Sequence, residues 1–361
     1  MCRTYNTIGS LTTLKSNLTE SNINDFKSLK EVINFQKSYP ILRQQLVSYH
    51  QNLIEQERTA LTKDLPNLYY AIETQKQQSV ERLTKEIDTL KQQLNTSANP
   101  SANFFQKLTK GLKNWSNERK IRKKELGFEI ELEISTSDLT EDYQVKKNRY
   151  QFITSNFNEA VDQSALYPLS ELERKRSIIS ELNNYIYGAL GEQKVVKTLE
   201  TLSDDYFLIN DFSVSFSRAI YNRKEDDYIK SIQIDHILVG PSGIFLIETK
   251  NWSEKSLENL SLRSPVEQIK RNNFALFHLL NNDMSNYHLR LDSHHWGDKK
   301  IPIKNLIALT TVKPKGEFQY VKILTINELI NYVKYFKPIF SYTEIKRIAE
   351  MILLINERKI L

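Results

Sequence analysis

Two short apolar segments joined by a tight turn dominate the second half of the chain. Residues 232–239 and 244–250 are rich in isoleucine, leucine and valine, and the intervening residues 240–243 are Gly-Pro-Ser-Gly. Apolar runs of this length on either side of a glycine- and proline-containing turn are typical of a β-hairpin. We therefore predict two buried strands that pair antiparallel.

Charged side chains interrupt both predicted strands at matching places. Asp235 lies five residues before Gly240, and Glu248 lies five residues after Gly243. Antiparallel pairing places these acids at similar heights, and Lys250 shares the face of Glu248 because the two are two positions apart. Three charges within apolar strands are costly to bury unless they have partners or a ligand.

This charge pattern suits phosphodiester chemistry. Two carboxylates can hold a hard cation such as Mg²⁺, which keeps several waters and can activate one of them while offsetting charge on a phosphate. A nearby lysine can orient the water or stabilise the phosphorus centre. A Glu-x-Lys triplet alone is usually a surface ion pair, but the second acid across the turn favours a catalytic site. His236 should point to the opposite face and is interpreted as a packing residue.

The rest of the second half alternates between helical and strand patterns. The order αβββαβαα predicts an α/β domain with a mixed sheet. The predicted elements are a helix at 192–202, strands at 206–210, 232–239 and 244–250, a helix at 265–280, a strand at 303–311, and helices at 326–336 and 342–355.

The first half, through residue 184, is predicted to be mainly helical and partly coiled coil. Pro40 and Pro66 are expected to separate helices. Residues 126–134 fit both a strand and a helix, because apolar and acidic residues alternate between two helical segments. An a/d seam covers two heptads, fewer than a secure coiled coil needs, and comprises Val80, Leu83, Ile87, Leu90 and Leu94.

Basic residues are concentrated between positions 107 and 124, where Glu118 is the single acid. Lysine and arginine can neutralise nucleic-acid phosphates without reading sequence, although a charge run also occurs on ordinary solvated helix faces. The candidates for nucleic-acid contact are Lys107, Lys110, Lys113, Arg119, Lys120, Arg122, Lys123 and Lys124.

The composition favours a cytoplasmic protein. The net charge of +6 is a mild lean toward polyanionic partners. A single cysteine, Cys2, allows no disulfide within the chain, which suits a reducing compartment. No segment approaches the roughly 18 uninterrupted apolar residues of a membrane span, and the start of the chain lacks the apolar run of a signal peptide.

Five segments, in order along the chain, resemble the nuclease-related domain (NERD) of the PD-(D/E)xK nuclease superfamily. The resemblance covers roughly residues 185–337, followed by a terminal helix expected to pack on the domain within residues 341–361. The matching segments are 188–192 (GALGE), 234–237 (IDHI), 243–252 (GIFLIETKNW), 265–268 (PVEQ) and 324–329 (LTINEL).

The resemblance implies a restriction-endonuclease-like αβββαβ core in a nuclease domain at residues 185–340. It implies that Asp235 and Glu248 bind the metal, that Lys250 is the catalytic lysine, and that Glu192 is an additional metal ligand. It also implies that Gln268 positions substrate or water. The simpler alternatives are a first-turn helix acid for Glu192 and a solvated helix residue for Gln268.

The expected function is therefore a Mg²⁺- or Mn²⁺-dependent DNA endonuclease, with RNA an open alternative as substrate. The helical region would serve as a sensor, a clamp or an arm that forms a homodimer or higher oligomer. This combination resembles restriction and anti-phage defence proteins at the level of architecture only. The competing hypothesis is a catalytically inactive nucleic-acid-binding or coiled-coil scaffold protein that keeps the nuclease fold.

Overall fold

The computed structural model describes residues 1–95, 104–251, 263–282, 300–310 and 318–358, with backbone placement alone for 104–110, 263, 281 and 282. The chain divides into two units. Residues 1–38 and 174–361 belong to one, the sheet unit, and residues 39–173 to the other, the helical unit.

A six-stranded mixed sheet organises the sheet unit, with the strands side by side in chain order. The three central strands form an antiparallel meander, while β1 runs parallel to β2 and β5 and β6 run parallel to β4. The predicted mixed sheet is confirmed. The strands are β1 (Arg3–Tyr5), β2 (Phe207–Asn222), β3 (Asp227–Gly240), β4 (Gly243–Lys250), β5 (Ile303–Leu309) and β6 (Val321–Thr325).

Helices of the sheet unit cover both faces of the sheet. Residues of α7 and α9 pack on one face, and residues of α6 and α8 pack on the other. The helices in the described residues are α1 (Gly9–Glu20), α2 (Leu29–Asn95), α3 (Phe104–Leu126), α4 (Phe128–Ser155), α5 (Phe157–Glu181), α6 (Asn183–Leu199), α7 (Arg263–Asn282), α8 (Ile326–Tyr335) and α9 (Tyr342–Arg358).

The central hairpin is buried on both faces, as predicted. Successive side chains of a strand point to opposite sides of the sheet, and β3 and β4 carry apolar residues at both sets of positions. Ile237 and Leu246 belong to the core beneath α7 and α9, whereas Leu238 and Phe245 belong to the core beneath α6 and α8. This alternation assigns each charged residue of the hairpin to a definite face.

The turn between β3 and β4 requires a glycine. Gly243 has a φ of +118°, and a Cβ atom at that position would lie 2.4 Å from the carbonyl oxygen of Pro302. The turn sets a register in which Gly240 pairs with Gly243 and His236 pairs with Ile247. The relative height of the charged residues follows from this register.

Residues 1–38 belong to the sheet unit, although the sequence predicts that they belong to the mainly helical region. Strand β1 pairs with β2, with Arg3 opposite Phe207. Ile8 and Leu14 join a buried cluster with Ile179 and Ile186. Neither β1 nor β6 was anticipated, because three and five residues are too few to show a periodic pattern.

The predicted interruptions at Pro40 and Pro66 are wrong, because α2 continues through both prolines. An interior proline costs roughly 3 kcal/mol, and a helix of 67 residues with a buried stripe, including Ile54 and Leu61, offsets that cost. Residues 126–134 are mainly helical, since α4 begins at Phe128. No helix among the described residues combines the length and apolar character needed to cross a membrane.

Candidate active site

Asp235 and Glu248 lie on the sheet face that α7 covers. The pairing of His236 with Ile247, continued by one residue, sets Asp235 opposite Glu248. Asp235 accepts a hydrogen bond from the backbone N–H of Thr249 at 2.8 Å, which fixes its carboxyl group against β4. The Glu248 side chain is only 3% exposed, so both acids sit at the edge of the core rather than in bulk water.

Lys250 lies on the same face and bonds directly to Glu248. Its Nζ donates to Glu248 Oε1 at 2.8 Å, and its side chain is 26% exposed. Burial alone would lower the pKa of Lys250, but the charges of Glu248, Asp235 and Glu192 and the hydrogen bond to Glu248 outweigh it, so the pKa lies above its ordinary value. Lys250 is therefore a cation at neutral pH.

Glu192 approaches from α6, the helix packed on the opposite face of the sheet. It is buried, and Ser10 holds both of its carboxyl oxygens: the Ser10 hydroxyl donates to Oε1, and the Ser10 backbone N–H donates to Oε2 at 3.4 Å. Burial raises the pKa of Glu192, the Ser10 hydrogen bonds oppose this, and the charges of Asp211 and Glu248 add to the rise.

The electrostatics of the site favour an added cation. The pKa of Asp235 lies well above its ordinary value because burial disfavours its charged form and because Glu248 and Glu192 repel it. Among the described residues, the carboxyl groups of Asp235, Glu248 and Glu192 thus act on one another, and Lys250 supplies an ammonium beside them. A bound divalent cation would relieve this repulsion, since an opposite charge stabilises buried carboxylates.

The donor set suits a metal ion that keeps part of its hydration shell. Within the described ranges, no three His, Cys, Asp or Glu side chains are arranged as a ready-made metal cluster. Mg²⁺ is commonly held by one or two carboxylates together with waters. Asp235 and Glu248 fit that role, while Glu192 is engaged by Ser10.

Gln268 is brought to the same site by α7. Its Nε2 donates to Glu248 Oε2 at 3.5 Å, the outer limit of a hydrogen bond, and its residue is exposed. The sheet unit therefore gathers all five residues proposed as catalytic or metal-binding: Glu192, Asp235, Glu248, Lys250 and Gln268.

His236 lies on the opposite face, and its packing role is confirmed. It is fully buried, and its ring nitrogens lie 2.7 Å from Asn210 Oδ1 and 3.1 Å from Thr249 Oγ1. Burial lowers the pKa of His236 to about 3, so the ring is neutral near pH 7. With both nitrogens engaged, His236 braces β3 against β2 and β4.

Sequence reasoning missed Ser10. Its two hydrogen bonds to Glu192 join residues 182 positions apart, and its surroundings carry no motif. It also missed the role of the Thr249 backbone N–H, which holds Asp235. The sequence offered one indication of that contact, because Thr249 stands between the two predicted site residues Glu248 and Lys250.

The basic segment, residues 107–124, belongs to the helical unit, whereas the five site residues belong to the sheet unit. Lys113, Arg119, Lys120, Arg122 and Lys123 are exposed on α3. Lys124 bonds to Glu86, and the Arg119 guanidinium lies 5.6 Å from the centre of the Trp115 ring. The side chains of Lys107 and Lys110 lie outside the described residues.

Comparison with known proteins identifies the domain that contains the site. A family model described as the nuclease-related domain, NERD, matches residues 187–310. That span includes the five gathered residues and excludes Ser10. Neither the comparison with curated proteins nor that with solved structures found a match. Residues 187–310 of this chain therefore form a nuclease-related domain of the NERD family.

Proposed function

We propose that this protein is a Mg²⁺- or Mn²⁺-dependent endonuclease that hydrolyses phosphodiester bonds in DNA. The observation that carries the proposal is that Asp235, Glu248 and Lys250 share one face of the hairpin in the nuclease-related domain, with Lys250 Nζ 2.8 Å from Glu248 Oε1. Glu192 lies close enough to raise the pKa of Asp235. Carboxylates and a lysine that share such a place supply oxygen ligands for a metal and a fixed positive charge for a phosphate.

Each residue has a separate task in this proposal. Asp235 and Glu248 would hold the cation through their carboxylate oxygens, with Glu192 as a third acid. When bound, the metal supplies an activated water and neutralises charge on the phosphate. Burial first and then repulsion from Glu248 and Glu192 raise the pKa of Asp235, and a bound cation would offset that repulsion and favour the ionised carboxylate.

Lys250 would act as a charged donor rather than as a base. Its raised pKa keeps it protonated at neutral pH, and a general base must be unprotonated to accept a proton. Its contact with Glu248 positions the ammonium beside the metal-binding acids, where it can orient water or stabilise charge that develops on phosphate oxygens. Gln268, which also contacts Glu248, would position substrate or water.

The direct test is cleavage by the full chain. Single-stranded, linear duplex and supercoiled DNA are incubated with Mg²⁺, Mn²⁺ or EDTA. Asp235→Asn and Lys250→Met are compared with Lys194→Met, which changes an exposed lysine on α6. We expect cleavage that needs metal, a loss on the order of 10²- to 10³-fold for Lys250→Met, and full activity for the control.

Two outcomes would sink the proposal. One is cleavage that persists in EDTA, and the other is wild-type activity in both site variants. Circular dichroism spectra and melting temperatures of each variant separate loss of chemistry from loss of folding.

For the helical unit we propose contact with the DNA backbone through the exposed basic face of α3 and self-association through its helices. Replacement of Lys113, Lys120 and Lys123 by glutamine should then reduce the salt dependence of DNA binding, by a slope of about 0.9 per lost phosphate contact. Light scattering measures the mass of the assembly. A role in anti-phage defence is the matching biological proposal, tested by comparing phage plaque counts for wild type and Lys250→Met.

A further inference from the structure

An open cleft with a volume of about 1260 Å³ lies alongside α7 in the sheet unit. The loop between β2 and β3, one side of α7, and the beginnings of β5 and β6 line it. Pockets that enclose small molecules usually have volumes of roughly 300–1,000 Å³. A larger, open cleft is better suited to a segment of a polymer.

The charge of the cleft suits a polyanion. Five basic and three acidic side chains line it, and one of the acids, Asp227, is paired with Arg271 at 2.6 Å. Lys224, Lys270 and Lys322 are exposed to solvent along the cleft. Exposed lysines of this kind can track a phosphate backbone without selecting a sequence.

Aromatic rings complete the lining. Phe274 and Phe318 pack against the core and form fixed walls, whereas Phe277 and Tyr320 are 42% and 77% exposed. The faces of nucleic-acid bases stack on such rings when the bases are unpaired, and this interaction tolerates any sequence.

Tyr320 is held in place by the surrounding structure. Its φ of +66° is unusual for a bulky residue, and such conformations persist where neighbouring groups impose them. Asn305 Nδ2 donates to the carbonyl oxygen of Tyr320 at 3.1 Å, and Asn273 Nδ2 donates to Asn305 Oδ1 at 2.7 Å. This network ties the tyrosine to β5 and α7, so an exposed aromatic ring is presented from a fixed backbone.

One residue, Gln268, belongs both to the cleft and to the candidate active site. Gln268 lines the cleft, and its side-chain amide contacts Glu248. A strand that lies along α7 in the cleft therefore passes Gln268, the residue that contacts Glu248.

We propose that this cleft binds a single strand of nucleic acid, with phosphates along Lys224, Lys270 and Lys322 and unpaired bases stacked on Tyr320 and Phe277. The inference rests on the proposed nuclease function for what happens to the strand, and it specifies the class of substrate. A duplex is disfavoured as the occupant because its bases are stacked and paired inside the helix, where aromatic side chains cannot reach their faces.

The test measures binding without cleavage. Fluorescence anisotropy in EDTA records the affinity of the full chain for one labelled sequence as a DNA strand, an RNA strand and a DNA duplex. Tyr320→Ala should weaken single-strand binding by about 5- to 150-fold, the value of one stacked base, while Tyr320→Phe should retain it. Tyr335→Ala, which removes a tyrosine that is 79% exposed elsewhere in the same unit, is the matched control.

A second variant tests the electrostatic part. Replacement of Lys224, Lys270 and Lys322 by alanine should reduce the slope of log Kd against log salt by about 2, since each single-strand phosphate contact contributes about 0.7. The control replaces Lys197, Lys334 and Lys337, which are exposed lysines outside the cleft. Equal slopes for the two triple variants would overturn the proposal, as would equal affinities for Tyr320→Ala and Tyr335→Ala.

Photocrosslinking keeps the test decisive if the basic face of α3 dominates the measured affinity. A single strand that contains a halogenated pyrimidine should crosslink to peptides that carry Tyr320 or Phe277, and a crosslink to neither refutes the assignment. The binding and cleavage results together distinguish failure of the cleft proposal from failure of the proposed nuclease function. Binding in the cleft without cleavage in any metal rejects the nuclease activity alone, and metal-dependent cleavage with no Tyr320 effect rejects the cleft alone.

Discussion

The buried histidine of the hairpin makes stability depend on pH in a direction that can be worked out. His236 is fully buried, and its pKa of about 3 lies below the ordinary value of 6.5 because burial disfavours the charged ring. Below pH 6.5 the unfolded chain binds a proton that the folded protein does not. The contribution of His236 to stability is thus complete above pH 6.5 and is lost as the pH falls from 6.5 toward 3.

The size of the effect follows from linkage between protonation and folding. Each pH unit within that window changes the free energy of unfolding by about 1.4 kcal/mol, so acidification from about pH 7.5 to about pH 5 removes about 2 kcal/mol. Asp235 and Glu192 act in the opposite direction: their pKa values are raised in the folded protein, so their contribution is lost as the pH rises. A comparison between wild type and His236→Gln isolates the histidine.

The assay is urea unfolding of the full chain at both pH values. Trp115→Phe in every sample removes the tryptophan of the helical unit, so that the fluorescence signal comes from Trp252 and Trp296. The stability advantage of wild type over His236→Gln should shrink by about 2 kcal/mol on acidification. A constant advantage at both pH values refutes the reasoning. If His236→Gln does not fold, NMR titration of wild type should show no protonation of this ring near pH 5.

Three further outcomes are expected. Ser10→Ala removes the hydroxyl that holds Glu192, so calorimetric titration should show that the affinity for Mn²⁺ differs from that of wild type by about 2- to 10-fold. Ser10→Thr should restore the wild-type affinity. Equal Mn²⁺ affinities in all three proteins would contradict the role of Ser10 in positioning Glu192. Gly243→Ala should lower the free energy of unfolding by about 1–3 kcal/mol or more, because φ is positive and the added Cβ would clash with Pro302. An unchanged melting temperature would contradict this expectation. Asn305→Ala, which unpairs Asn273, should cost about 1–3 kcal/mol in urea unfolding; a neutral result would show that water replaces the lost contact.

The central hairpin and the position of its charges were predictable from the sequence. Strand side chains alternate with a period of two, and the partners β3 and β4 are separated by a two-residue turn. The register, the shared face of Asp235 and Glu248, and the opposite placement of His236 therefore follow from local geometry. The resemblance to a nuclease-related domain added Glu192 and Gln268, whose proximity to the hairpin no local pattern could indicate.

Tertiary structure decided the rest. Ser10 meets Glu192 across 182 positions, and the three residues of β1 become a strand because β2 offers its edge. Helix α2 continues through Pro40 and Pro66 although each proline opposes it locally. The raised pKa of Asp235 likewise depends on burial and on Glu192 from another element. The physical reason is common to all of these: burial and contacts between distant segments contribute free energies larger than local preferences, and a single sequence records only the local preferences directly.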